Sequence, residues 1–141
     1  MINSLFSPLP LWRDNGLAVL RILTGLLIAY HGLEIFDRTK MLPYMEWEVI
    51  KSLPAPETFV YIGKGLEFVT GICFVLGLFT RVAAVFMAID MLFICFKIGS
   101  GKFYYEDQHP FLFALLAIVF FFTGPVKWSL DILWFSKKQN A

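Results

Sequence analysis

Apolar positions along the chain fall into four blocks separated by short polar breaks. The first covers about residues 16–36, and its 21 residues, at about 1.5 Å per residue, match the roughly 30 Å core of a bilayer. It predicts a transmembrane helix. The second block covers about 58–79, the third about 82–98 and the fourth about 110–123, which ends at Gly124 and Pro125. Between the second and third lie only Thr80 and Arg81, so these two spans must form an antiparallel hairpin. The pattern therefore predicts one domain over 1–141: an all-α, integral membrane four-helix bundle running up-down-up-down. Residues 128–135 place Trp128, Leu130, Leu133 and Trp134 around Asp131, with Ser129 as a capping residue. They predict a short C-terminal interfacial helix, ended by Lys137 and Lys138.

The segment 37–57 carries three prolines, alternating charges, Tyr44 and Trp47, and predicts an ordered interfacial loop with one helical turn. The link 99–108 is rich in glycine and charge, with Tyr104 and Tyr105 where aromatic belts form. Residues 1–12 lack the basic region and apolar core of a secretory leader, so no cleavage is expected.

Composition agrees with lipid as the solvent. Hydrophobic residues make up 58% and charged residues 16% of 141 positions, against about 45–50% and 25% in soluble domains. A net charge of +1 without a basic run excludes nucleic acid as partner, and abundant apolar surface excludes disorder. Cys73 and Cys95 belong to no CxxC, zinc or disulfide framework. An even number of spans puts both termini on one side. Basic residues do not choose that side: Arg13, Arg81, Lys127, Lys137 and Lys138 balance Arg38, Lys40, Lys51, Lys97 and Lys102. The expected location is the bacterial inner membrane, with the termini in the cytoplasm.

Candidate chemistry comes from ionisable groups inside the spans. Each costs at least about 2.5–3.5 kcal/mol near a helix centre, so it needs a partner or a wet cavity. Arg21, His31 and Glu34 lie on the first span, Lys64 and Glu67 on the second and Asp90 on the third, while His109 opens the fourth. Glu67 and Asp90 fall near the midplane. Arg21 lies about 7 Å toward the termini and can reach either carboxylate along its own helix. The expectation is a funnel open away from the termini, closed by Arg21, Glu67 and Asp90, with His31, Lys64 and His109 nearer its mouth. Lys64, Glu67 and Gly71 fall within about 60° of helical arc. Arg21, Gly25 and Gly32 share a stripe on which backbones can approach closely. Glu34 can simply sit at the water boundary.

The cluster has two readings: an ion-paired core that sets helix register, or a site where arginine holds an anionic or quinone carbonyl head group and a carboxylate relays a proton. His31 and His109 suit haem or metal only weakly, because no HExxH, CxxCH or carboxylate-plus-ExxH motif accompanies them. No metal is expected. Lys64, three residues before Glu67, reads as its ion-pair partner. The sixteen phenylalanines read as packing and lipid-facing residues.

Leu20 and Arg21, followed by Tyr30, His31 and Gly32, resemble the DoxX family of small four-span membrane proteins. The resemblance continues through Gly65, Leu66 and Glu67, through Gly71 and the turn Gly77, Leu78, Phe79, Thr80 and Arg81, and through Gly124, Pro125, Ser129 and Asp131. It implies a four-helix membrane bundle and a loose link to redox work, since one relative is the small subunit of a thiosulfate:quinone oxidoreductase. The expected function is an accessory redox component that binds a quinone or another small amphipathic molecule in an intramembrane polar cavity. The alternatives are a non-enzymatic assembly partner or chaperone of a larger membrane complex, which includes a homo-oligomer, and transport of a small solute. Transport has the least support, because no inverted repeat is evident.

Overall fold

In the computed structural model, which describes residues 7–135, the first span is helix α1 (Arg13–Gly32), continued by a 3-10 turn (Leu33–Phe36). Residues 1–6, with Lys137 and Lys138, lie outside the described residues. Asp37 then caps α2 (Arg38–Met45), its carboxylate accepting from the Thr39 amide at 3.0 Å. Trp47 leads into the short α3 (Glu48–Lys51). The segment 37–57 is thus more helical than the single turn its prolines suggested. Part of the reason is tertiary: Met41 and Ile50 are buried against Val60, so each short helix has an apolar residue to bury.

Helix α4 (Pro56–Leu76) opens with proline in its first turn, where no intrahelical amide is needed. It closes in a Schellman motif: Leu78 donates to the Cys73 carbonyl at 2.9 Å and Gly77 to that of Phe74 at 3.3 Å. Gly77 has φ 62. Helix α5 (Thr80–Phe93) runs into a π-helical turn (Ile94–Ile98), α6 is Gln108–Thr123 and α7 is Leu130–Phe135. All seven helices and the two turns are α, 3-10 or π; the described residues contain no strand. The hairpin turn is residues 77–79, three residues earlier than the Thr80 and Arg81 break expected from hydropathy. The left-handed Gly77 and Phe79 (φ 49) reverse the chain there, and Thr80 and Arg81 are already helical.

Arg13–Phe36 and Pro56–Leu76, 24 and 21 residues long, are long and apolar enough to cross a membrane, and α6 is a shorter apolar helix. Helices α1 and α4 are antiparallel and nearly touch through backbone. A Cβ on Gly25 would lie 2.7 Å from the Gly71 carbonyl oxygen, one on Gly71 would strike Ala29, and one on Gly32 would strike Phe68. Gly25 and Gly32, expected to let a neighbouring backbone approach closely, do lie against α4 at Gly71 and Phe68. Helix α5 packs against α6, and Phe74 meets Phe120 edge-on at 5.2 Å within a core that includes Ile28, Met87 and Ala117. Gly71→Val is expected to destabilise the protein by roughly 1–3 kcal/mol or more through overpacking. Gly16→Ala, where a Cβ meets nothing within 4 Å, should leave stability near wild type. Reversible unfolding in mixed micelles checks the pair, and equal effects at both positions would refute the close approach.

The C-terminal helix is more than an interfacial appendage. Trp128, Leu133 and Trp134 are exposed, but Ser129 and Asp131 are buried. The Ser129 hydroxyl accepts from the Ile132 amide at 3.2 Å, which is the expected cap. Asp131 accepts from the amides of Phe79 at 2.7 Å and Thr80 at 2.8 Å, and its own amide donates to the Gly77 carbonyl at 3.0 Å. It satisfies the free N–H groups at the start of α5 from about fifty residues downstream.

Candidate functional site

The six expected site residues separate into two groups. Arg21 does not join Glu67 and Asp90. It is fully buried, and its Nη2 donates to the carbonyl of Trp128 at 2.7 Å and to that of Lys127 at 3.4 Å. Asp131 supplies the nearby opposite charge. The guanidinium therefore points toward the terminal end of α1 and lies against Gly77, where any Cβ would collide with Nη1. The Lys127 and Trp128 carbonyls accept from it and Asp131 stands nearby, so in place of the expected Arg21, Glu67 and Asp90 closure Arg21 forms a node with the segment that carries Asp131.

The other five residues line one cavity of about 220 Å³. Lys64 is its centre of charge. The ammonium bonds Glu67 at 2.9 Å, one helical turn away, and bridges to Glu34 at 3.1 Å. The Tyr44 hydroxyl donates to the same Glu34 oxygen at 2.6 Å, and Lys64 Nζ lies 4.8 Å from the centre of the Tyr44 ring. Burial, followed by the hydrogen bond to Glu34, raises the Tyr44 phenol above its ordinary value. Glu34 is thus a member of the network. It was recruited by Tyr44 from α2, a contact with no local signal in the sequence.

Asp90 faces the network from α5. It is 8% exposed, Glu67 is its electrostatic neighbour, and its Oδ2 has no hydrogen-bond partner among the described residues. A Cβ on Gly63 would be 3.8 Å from Asp90 Oδ1, so the missing side chain of Gly63 is part of the open space. His31 and His109 meet with ring centres 5.7 Å apart, and His109 rests edge-on against Phe113 at 4.8 Å. No group of three or more metal-ligating side chains occurs among the described residues. Trp47, Phe59, Phe93 and the π-turn residues Ile94 and Ile98 form apolar walls, and π turns of this kind recur at functional sites. Trp47, Ile94, Ile98 and Pro110 also border a groove beside the cavity that reaches Glu48 and Asp107.

Cys73 and Cys95 are free thiols. The arrangement is a largely apolar chamber lined also by one ammonium, two carboxyl groups and two imidazoles, with Glu34 joined to it through Lys64, a composition suited to an amphipathic molecule. The chain is 27% identical over 132 residues to the protein named "Putative oxidoreductase CatD" of Bacillus subtilis (strain 168), an alignment covering 91% of this chain and 93% of that protein. No solved structure gives a significant match. The DoxX family matches over residues 16–100, which hold all of α1 but its first three residues, α2 to α5, and every cavity residue discussed above except His109, Pro110 and Phe113. With more than half of its length matched, the chain belongs to the DoxX family.

Proposed function

We propose that this chain is an integral membrane protein of the bacterial inner membrane, with cytoplasmic termini, in which α1, α4, α5 with its π turn, and α6 cross the bilayer as an up-down-up-down bundle. In that setting it serves as an accessory component of redox chemistry by holding a small amphipathic molecule, a quinone or a compound of similar size, in the cavity around Lys64. Membership of the DoxX family and the printed name of the similar Bacillus protein support the redox association. The lipid setting is supported by the two long apolar helices and by exposed apolar side chains along α1, α5 and α6, such as Leu27, Ile89 and Phe122. Patches of this extent on a soluble monomer would be a liability.

The observation that carries the reading is the cavity itself. It combines the polar side chains of His31, Lys64, Glu67, Asp90 and His109 with aromatic and aliphatic walls, as binding of a headgroup with an apolar body requires. For a quinone the donors facing its carbonyls are the imidazole N–H groups of His31 and His109, since the Lys64 ammonium is engaged by Glu34 and Glu67.

Solvent extraction and mass spectrometry of the protein purified in mild detergent test this. Wild type should yield a bound small molecule in roughly stoichiometric amount, whereas Gly63→Leu, whose side chain enters the chamber beside Asp90, should yield little. Equal extracts from the two proteins would remove the cavity as the binding site.

A further inference from the structure

We propose that the cavity's occupant is a small organic cation, a protonated amine on an aromatic or aliphatic body, with its ammonium group held by Asp90. This rests on the reading of the chamber as a ligand site and names the class of ligand.

Charge balance comes first. Glu67 and Asp90 line the chamber beside Lys64, and that ammonium is shared between Glu67 and Glu34, which stands outside the lining. Glu34 also receives the Tyr44 hydroxyl. Asp90 is left: Oδ2 is buried and unpartnered among the described residues, and the residue lines the cavity beside Gly63, whose Cβ would lie 3.8 Å from Oδ1. A buried carboxylate without a partner is costly, so the site favours an arriving N–H donor that carries positive charge. Such a group satisfies Asp90 without disturbing the Lys64 pairs.

The walls give the same preference. Trp47, Phe59, Phe93 and Phe113 line the chamber, and aromatic faces attract an ammonium while accommodating an apolar body. A neutral carbonyl compound would present acceptors to an open position that is itself an acceptor. An anion would meet the carboxyl groups of Glu67 and Asp90.

Isothermal titration of the full chain in detergent tests the inference with three probes of one shape: 2-phenylethylamine, 2-phenylethanol and phenylacetate. A short-chain benzoquinone is titrated beside them. The amine should bind about tenfold or more tightly than the alcohol, and phenylacetate should bind least. Asp90→Asn should erase the amine's advantage over the alcohol, and Gly63→Leu should abolish binding of every probe. If the alcohol or the quinone binds as tightly as the amine, or Asp90→Asn leaves the amine's Kd unchanged, the cation assignment is wrong and the cavity remains a ligand site. If Gly63→Leu binds like wild type, or no probe binds, both assignments fall. Should Asp90→Asn fail to fold, the comparison of amine with alcohol on wild type decides alone.

Discussion

Arg21→Ala lowers the free energy of unfolding by about 3–5 kcal/mol, because it leaves buried carbonyls without their charged donor and Asp131 without the nearby opposite charge. The guanidinium is 0% exposed. It is also what holds the segment after α6 against the α4–α5 turn, because it donates to the Trp128 carbonyl while Asp131 of the same segment accepts from the Phe79 and Thr80 amides. Without it, buried carbonyl groups lose a donor and the Asp131 carboxylate loses its counter-charge. Arg21→Lys keeps the charge but not the Nη2 position from which both carbonyls are reached, so it should recover only a minor part of the loss. The double variant Arg21→Ala with Asp131→Asn should cost less than the two single changes together. Reversible unfolding in mixed micelles measures all three. A single variant within about 0.5 kcal/mol of wild type would show that the node is ornamental. The node lies at the far end of α4 from Gly63, so the folded fraction of Arg21→Ala should still retain cavity ligands.

The two ends of the molecule were unequally legible in the sequence. Helix positions could be read because long apolar blocks bounded by polar breaks mark helices, and α1, α4 and α6 begin within three residues of the expected positions. The Lys64 and Glu67 pair could be read because residues three apart are neighbours on a helix. Arg21 was misplaced for a physical reason. A long side chain starting about 7 Å from the midplane can turn either way along its helix, and its direction is decided by acceptors at Lys127 and Trp128, more than a hundred residues away. The hairpin turn was misplaced because Leu78 and Phe79 are apolar and hydropathy carries through them, although Gly77 held the Schellman signal. Tyr44 and Trp47 read as interfacial aromatics. Their place at the cavity follows from α2 and α3, whose stability comes partly from burying Met41 and Ile50 on Val60.

Lys64→Met should have the second large effect, again about 3–5 kcal/mol, and it separates the network's structural role from its binding role. The lysine side chain is 11% exposed and contacts two carboxylates. Replacing it with an apolar chain of similar length keeps the packing and leaves Glu34, Glu67 and Asp90 facing one another without a resident cation. The folded protein must then take up protons on these groups or bear their repulsion. Glu67→Gln placed on Lys64→Met removes the buried charge that suffers most, so the double variant should be more stable than Lys64→Met alone. A coupling energy of about 0.5–3 kcal/mol is expected from such neighbours. Asp90→Asn in the same background should restore stability as well, because either substitution lowers the number of competing carboxylates by one. If Lys64→Met unfolds like wild type and neither second substitution changes it, the ammonium is not what keeps the acids in place. The three carboxyl groups would then have to share protons among themselves, and an arriving organic cation would gain nothing from Asp90.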